Sequence, residues 1–143
     1  MMPFGLKIAI INRAFRKRLD EKAAALGLTC VQLRVLGSIS RLEAAGEAEI
    51  HQNDLERLER VTHPAMTKLL QRLEAKGFIA CLPGARDRRY KKIVCTQRSA
   101  GIYKMILAQD EEVFAELCRN LSEAQRRELS RLADLILQNI ESE

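Results

Sequence analysis

The chain has 143 residues, 47% hydrophobic and 30% charged, with a net charge of +5. That is one domain's worth of residues, enough to bury a core of its own, with the composition of a soluble, largely helical protein. No Trp and only 4% aromatic residues argue against a stacking platform for single-stranded nucleic acid, and sparse Gly and Pro argue against long disordered tails.

Met1 to Phe15 is apolar in places, but Lys7 interrupts the run and Asn12-Arg13 ends it. This is neither a secretory signal nor a membrane span, so a cytoplasmic protein without a membrane partner is expected. A first helix is predicted over residues 4 to 26, with Phe4, Ile8, Ile11, Phe15 and Leu19 at helical spacing and Gly27 as its stop. Such a terminal helix needs a partner to cover its stripe. Thr29-Cys30-Val31-Gln32 has capping-box spacing and predicts a second helix through Leu33, Leu36 and Ile39, fading by Ala45-Gly46. The acidic connector Glu47-Ala48-Glu49-Ile50 is too short for a domain linker, and Ile50 is a possible minimal third strand.

Gln52 to Leu58 reads as a short helix and Glu59-Arg60-Val61 as a turn. Thr62-His63-Pro64 then opens another helix, with Thr62 or His63 as N-cap and Pro in the first turn, where it loses no hydrogen bond. Met66, Leu69, Leu70 and Leu73 form its buried stripe. Ala65, Thr67, Lys68, Gln71, Arg72 and Lys76 face away, and Gly77 ends it. Phe78 to Leu82 and Lys91 to Thr96 read as two hairpin strands, the first stopped by Pro83-Gly84. Between them lies Ala85-Arg86-Asp87-Arg88-Arg89-Tyr90. Two more helices are predicted. One spans about Ser99 to Arg119, with Ile102, Ile106, Val113 and Leu117 along one side. The other starts at the capping-box spacing Ser122-Glu123-Ala124-Gln125 and carries Leu129, Leu132, Ala133, Ile136 and Ile140.

Charge is concentrated within this order. Arg60 to Lys104 holds eleven Lys or Arg against two acids, a local balance of +9, so the remainder sums to −4. From Met105 onward nine acids face four arginines. A basic helix-turn-helix followed by a basic hairpin points to a polyanion, most plausibly duplex DNA.

The chain resembles the MarR family of winged-helix transcriptional regulators. The resemblance is carried by Gln52-Asn53-Asp54-Leu55, by Thr62 to Leu70, by Arg72-Leu73-Glu74-Ala75-Lys76-Gly77-Phe78-Ile79, by Asp87-Arg88-Arg89 and by Cys95-Thr96. The order of elements, two helices before the motif and two after the hairpin, also fits. It implies a mainly α fold with a small β-hairpin wing, and an intertwined homodimer through the N- and C-terminal helices. Residues 1–28 and 99–143 would supply the dimerisation helices, and 29–98 the DNA-binding lobe of a single domain. The second motif helix of each lobe would enter a major groove, with half-sites roughly 10 bp apart.

Within that frame Thr62, His63, Thr67 and Lys68 are expected to face DNA. Hydroxyls near a helix N-terminus suit phosphates, and His63 and Thr67 are in a position to reach base edges or thymine methyls. Pro64 and Ala65 add apolar contact, Arg72 lies at the exposed end of the helix, and Gln52 is placed to touch a phosphate. Arg86, Arg88 and Arg89 load the hairpin tip, backed by Lys91 and Lys92. The resemblance sends Arg89 into a minor groove, where narrow A·T tracts concentrate negative potential. Asp87 is a poor DNA ligand by charge, so it is expected to position the wing by pairing with Arg72.

The leading reading is a ligand-responsive repressor whose small-molecule effector, bound between dimer helices and lobes, changes lobe separation. Tyr90, Tyr103 and Arg16 are conceivable pocket members, but nothing singles them out. A winged-helix module for an acidic protein partner is the alternative. A cysteine-based sensor is a further one, because Cys30 follows a helix N-cap, where thiol pKa falls. Yet Cys30, Cys81, Cys95 and Cys118 show no Cys-x-x-Cys pairing, and such cysteines are usually buried. Cys81 and Cys95 share strand parity, so oxidation could join them if pairing brings them close. No nucleophile–base pair or glycine-rich phosphate loop points to an enzyme or cofactor. His51 and His63 lie too far from any cysteine cluster to argue for a metal.

Overall fold

The second helix begins where its cap demands. The Thr29 hydroxyl accepts from the Gln32 amide at 3.1 Å, and Gln32 Oε1 accepts from the Thr29 N–H at 3.0 Å. Ser122 and Gln125 repeat the exchange at 3.1 and 2.9 Å. Each box satisfies two backbone donors that a helix start otherwise leaves unpaired. The computed structural model describes residues 1–46 and 49–142; Glu47 and Ala48 of the acidic connector lie outside these.

Among the described residues six α-helices and one hairpin follow in chain order. They are α1 (Phe4–Ala24), α2 (Cys30–Ala44), α3 (Gln52–Glu59), α4 (His63–Ala75), β1 (Ile79–Leu82), β2 (Lys92–Cys95), α5 (Ile102–Leu117) and α6 (Glu123–Glu141). The helix before the hairpin ends on a Schellman motif. Gly77, at φ +81°, donates to Glu74 O, and the Phe78 N–H donates to Leu73 O at 3.0 Å. That turn aims the chain into β1, which pairs antiparallel with β2, Ile79 opposite Cys95 and Cys81 opposite Ile93.

Two expectations are corrected here. The helix predicted from Ser99 starts three residues later, at Ile102. Gln97–Ser99 is a single 3-10 turn, Ser99 is buried with its hydroxyl bonded to the Phe78 carbonyl, and Gly101 takes a left-handed φ of +75°. Packing of Ser99 beneath the hairpin thus outweighs its helical continuation. Ile50 contributes one backbone bond, accepting from Ile93 N–H at 2.8 Å, but the sheet has two strands.

The core joins α2 (Leu33, Val35, Leu36, Ile39) to Leu55 of α3, Met66, Leu70 and Leu73 of α4, and Phe78, Ile79 and Ile93 of the hairpin, with Ile102 closing it. Cys81 and Cys95 pack against this core from the same sheet face as Ile79 and Ile93, as their parity predicts. They sit two positions out of register, and all four cysteines are free thiols. The terminal helices are different. In α1 only Ala23 is buried, while Phe4, Ile8 and Ile11 are exposed; in α6 no residue is buried.

Candidate nucleic-acid interface

Helices α3 and α4 meet across a turn whose geometry rests on Arg60, left-handed at φ +53°. Thr62, not His63, caps α4, its Oγ1 accepting from the Ala65 N–H at 3.4 Å, and Pro64 sits in the first turn. The helix is amphipathic as predicted, except that Thr67 and Lys76, expected to face away, are half-buried, Lys76 bonding Gly27 O and Gln32 Oε1. Met66, Leu70 and Leu73 are buried and Leu69 half-buried, while Thr62, His63, Pro64, Ala65, Lys68, Gln71 and Arg72 are exposed.

The N-terminal turn of α4 is held by side chains of α3. Gln52 Nε2 donates to Thr67 Oγ1 at 2.8 Å and to the His63 carbonyl at 3.3 Å. The Thr67 hydroxyl donates to the same carbonyl at 3.0 Å. His63 Nδ1 lies 2.8 Å from Glu56 Oε2, and that bond holds the Glu56 carboxyl below the usual range. Gln52 and Thr67 are therefore braces of the helix as much as candidate contacts. Glu56 was invisible in the sequence, because its partner lies across the turn on another helix.

The wing tip presents Arg86, Arg88, Arg89 and Lys91, all exposed, with Lys92 half-buried. Asp87 does not pair with Arg72. Its Oδ1 accepts from the backbone N–H of Arg89 at 3.0 Å and from Arg89 Nε at 3.3 Å, while Oδ2 accepts from Nη2 at 3.3 Å. These bonds, the Arg89 side chain foremost, hold the Asp87 carboxyl below its usual range. A turn places residues two apart within reach and lets a short Asp side chain bond its own backbone two residues on, so the local partner displaces the one predicted across the lobe.

The wing is tied down by other carboxylates. Glu49 Oε1 accepts from the Ala85 N–H at 2.7 Å, and its Oε2 lies 2.9 Å from His51 Nε2. The His51 ring meets the Tyr90 ring with centroids 4.3 Å apart. Glu43 of α2 accepts from the Cys95 N–H at 2.7 Å, and Glu74 of α4 from the Cys81 N–H at 2.8 Å. Glu74 and Glu49 lay in stretches singled out in the sequence, but neither they nor Glu43 were expected to hold the wing. The result is a groove lined by His51, Gln52, Asn53, Glu56, His63, Arg89, Tyr90 and Lys91. It brings Gln52, His63 and Arg89 together; Thr62, Lys68, Arg72, Arg86 and Arg88 are exposed outside it.

A second cavity of about 390 Å³ lies between α1, α2 and α5, lined by residues including Phe15, Arg16, Leu19, Leu33, Arg34, Ile106, Gln109 and Asp110. Gln109 Oε1 is buried there without a partner, and burial pushes the Asp110 carboxyl up. Arg16 belongs to this cavity; Tyr90 stands at the wing instead, and Tyr103 does not line it. Among the described residues no cluster of His, Cys, Asp and Glu is arranged to hold a metal ion, and no helix is long and apolar enough to cross a membrane.

A helix-turn-helix followed by a basic antiparallel hairpin defines a winged-helix protein. Residues 26–89 match the model of the MarR family. The chain is 29% identical over 125 residues to the multiple antibiotic resistance protein MarR of Escherichia coli, covering 85% of this chain and 82% of that protein. It is 35% identical over 85 residues to the transcriptional activatory protein BadR of Rhodopseudomonas palustris, covering 59% of this chain and about half, 47%, of the relative. Among solved structures, a mutant of E. coli MarR complexed with operator DNA superposes with a TM-score of 0.80 at 28% identity, covering 95% of this chain and 94% of that one. The chain is thus similar to MarR-family transcriptional regulators, most directly over residues 26–89.

Proposed function

We propose that the chain acts as a homodimer on a near-palindromic duplex operator, and represses transcription until a small effector reduces its affinity. The observation that carries this reading is the groove that His63, at the tip of α4, and Arg89, on the wing, both line. One lobe thereby offers a helix tip to a major groove and a guanidinium to the flanking minor groove. Thr62, Pro64, Thr67, Lys68 and Arg72 extend the helix contact, Gln52 and the α3 start meet a phosphate, and Arg86 and Arg88 meet the backbone. A relative of 28% identity crystallised with operator DNA supports duplex DNA as the partner.

Residues 1–28 and 99–143 form the dimerisation part and 29–98 the DNA-binding lobe. The uncovered apolar faces of α1 and α6 support this division. The α1–α2–α5 cavity joins the two parts, so an effector there is placed to change the angle between lobe and dimer helices. Affinity then falls because both α4 helices no longer fit successive grooves.

Selection of duplexes from a random pool tests the reading. A palindrome with half-sites one turn apart is the expected product, bound with an affinity that falls steeply with salt as counterions are released. A pool without consensus, bound with little salt dependence, would instead indicate a module for an acidic protein.

A further inference from the structure

Glu56 stands within the groove, yet a carboxylate has no charge reason to face DNA. Its Oε2 lies 2.8 Å from His63 Nδ1. A carboxylate offers only acceptors, so the proton of this bond must sit on Nδ1. The neighbouring groups agree. Gln52 Nε2 is 3.0 Å from Nδ1, but its two N–H groups are directed at Thr67 Oγ1 and the His63 carbonyl. The Thr67 hydroxyl proton goes to the same carbonyl. Every donor in the cluster then has an acceptor; the His63 side chain as a whole is 73% exposed, and Nε2 lies across the ring from the bonded Nδ1.

We propose that Glu56 is a positioning residue that fixes the His63 tautomer, leaving Nε2 as a hydrogen-bond acceptor that favours adenine or cytosine beneath it. Only those two bases present an amino donor in the major groove, adenine N6 and cytosine N4. The inference rests on the reading that α4 enters a major groove. Without Glu56, the polar neighbour left at Nδ1 is the Gln52 amide. The Gln52 N–H that otherwise meets the His63 carbonyl at 3.3 Å turns to Nδ1, 3.0 Å away, the proton moves to Nε2, and that nitrogen becomes a donor suited to guanine or to thymine O4.

The first arm needs no DNA. The chain has two histidines, so His51→Gln leaves His63 as the sole source of imidazole ¹⁵N signals. At about pH 9, above the range in which protein histidines ordinarily titrate, the parent should show a protonated Nδ1 and a bare Nε2. Adding Glu56→Ala should reverse or equalise the two. Alanine is the best helix former, so α3 should persist, and a dispersed amide spectrum checks it. A protonated Nε2 in the parent, or an Nδ1–H that survives Glu56→Ala, overturns the proposal.

The second arm is duplex selection at the same pH with the unsubstituted chain and Glu56→Ala. One symmetric position should shift from A or C toward G or T by about fivefold, the lower end of what a good base contact discriminates, with half-site spacing unchanged. Unchanged preferences on an intact palindrome overturn the base-reading half. Loss of any palindrome with the unsubstituted chain overturns the operator reading as well, while the ¹⁵N result still stands.

Discussion

The Tyr90 ring leans against the His51 imidazole at a centroid distance of 4.3 Å and an angle of 50°, and this contact joins the wing to the start of α3. Glu49 completes the joint, taking the Ala85 N–H with one oxygen and His51 with the other. Arg89 immediately precedes Tyr90 and bonds Asp87 through its N–H and guanidinium, so a shift of Tyr90 moves the backbone from which that guanidinium projects.

An aromatic pair contributes about 0.5–1.5 kcal/mol. Tyr90→Ala should therefore weaken operator binding by about two- to tenfold, with little change in thermal midpoint. The loss should be non-additive with Arg89→Ala, because both act through the same wing contact. Full additivity in a binding titration would separate Tyr90 from Arg89.

The wing joint should also respond to acid in a defined direction. The Glu49 carboxyl is held below its ordinary value of 4.5, chiefly by the Ala85 N–H, and Asp87 below 3.8 by Arg89. A lowered folded pKa means that the stabilisation is complete above the ordinary value and is lost as pH falls through the depressed one. The Ala85 and Arg89 amide resonances should hold steady from pH 8 to about 5 and move only below the ordinary carboxylate range. Movement of the Ala85 resonance between pH 7 and 6 that vanishes in His51→Gln would instead assign control to the imidazole.

What sequence reading captured is local. The capping boxes of Thr29 and Ser122 lie three residues from their partners, and the stripe Met66, Leu70, Leu73 follows from helical period alone. What it missed comes from further off. Glu43 reaches the Cys95 amide across 52 residues and Glu49 reaches Ala85 across 36, distances over which an acid looks like any solvated side chain. Asp87 failed in the opposite sense, since a partner two residues away captured a carboxylate expected to span the lobe. The exposure of Thr62, His63, Lys68 and the wing arginines was legible because it follows from helical period and charge; the bracing behind them was not, because it depends on packing between elements.

Gly84 gives a test of the wing tip that leaves charge untouched. A Cβ there would stand 2.2 Å from the Tyr90 carbonyl oxygen and 2.7 Å from that of Asp87. Both are backbone atoms that no rotamer change can clear. Gly84→Ala should open the tip, displace Arg89 and weaken operator binding more than Tyr90→Ala does. The core should still melt within a few degrees of the parent, since buried Gly84 carries no side chain into it and residues 85–91 beyond it are exposed. An unchanged affinity would show that the tip's conformation is irrelevant to binding.

The cysteines should be poor sensors. Burial and the nearby Glu43 push the Cys95 thiol up to about 12, and burial likewise raises Cys30 and Cys81. The thiolate is the reactive form, so these three should be almost wholly protonated at pH 8. Alkylation at Cys30, Cys81 and Cys95 of the folded protein should run much slower than for a free thiol, and operator binding should survive mild peroxide. Rapid loss of binding that a reductant restores would revive the redox reading.

The terminal helices decide whether any of this works in pairs. Leu129, Leu132, Ile136 and Ile140 stand 40–50% exposed along α6, and Phe4, Ile8 and Ile11 are 49–68% exposed along α1. Full burial of one such side chain contributes about 1.5–3 kcal/mol, and contiguous apolar faces of this kind mark association surfaces. If the faces meet across a two-fold axis, a carboxylate at Ile136 is buried beside its own symmetry mate without a counter-ion, at a cost of several kcal/mol. Ile136→Glu should therefore sediment as a monomer at micromolar concentration where the parent is a dimer. Each lobe keeps α3, α4 and its wing, so the monomer should retain weak, strongly salt-dependent DNA binding, but should no longer prefer two half-sites over one. Lobes joined by a disulfide or a tethered repeat should regain that preference only where spacing places both α4 helices on one face of the duplex. A monomeric parent would remove the dimer from the proposed function and leave a single-site DNA binder.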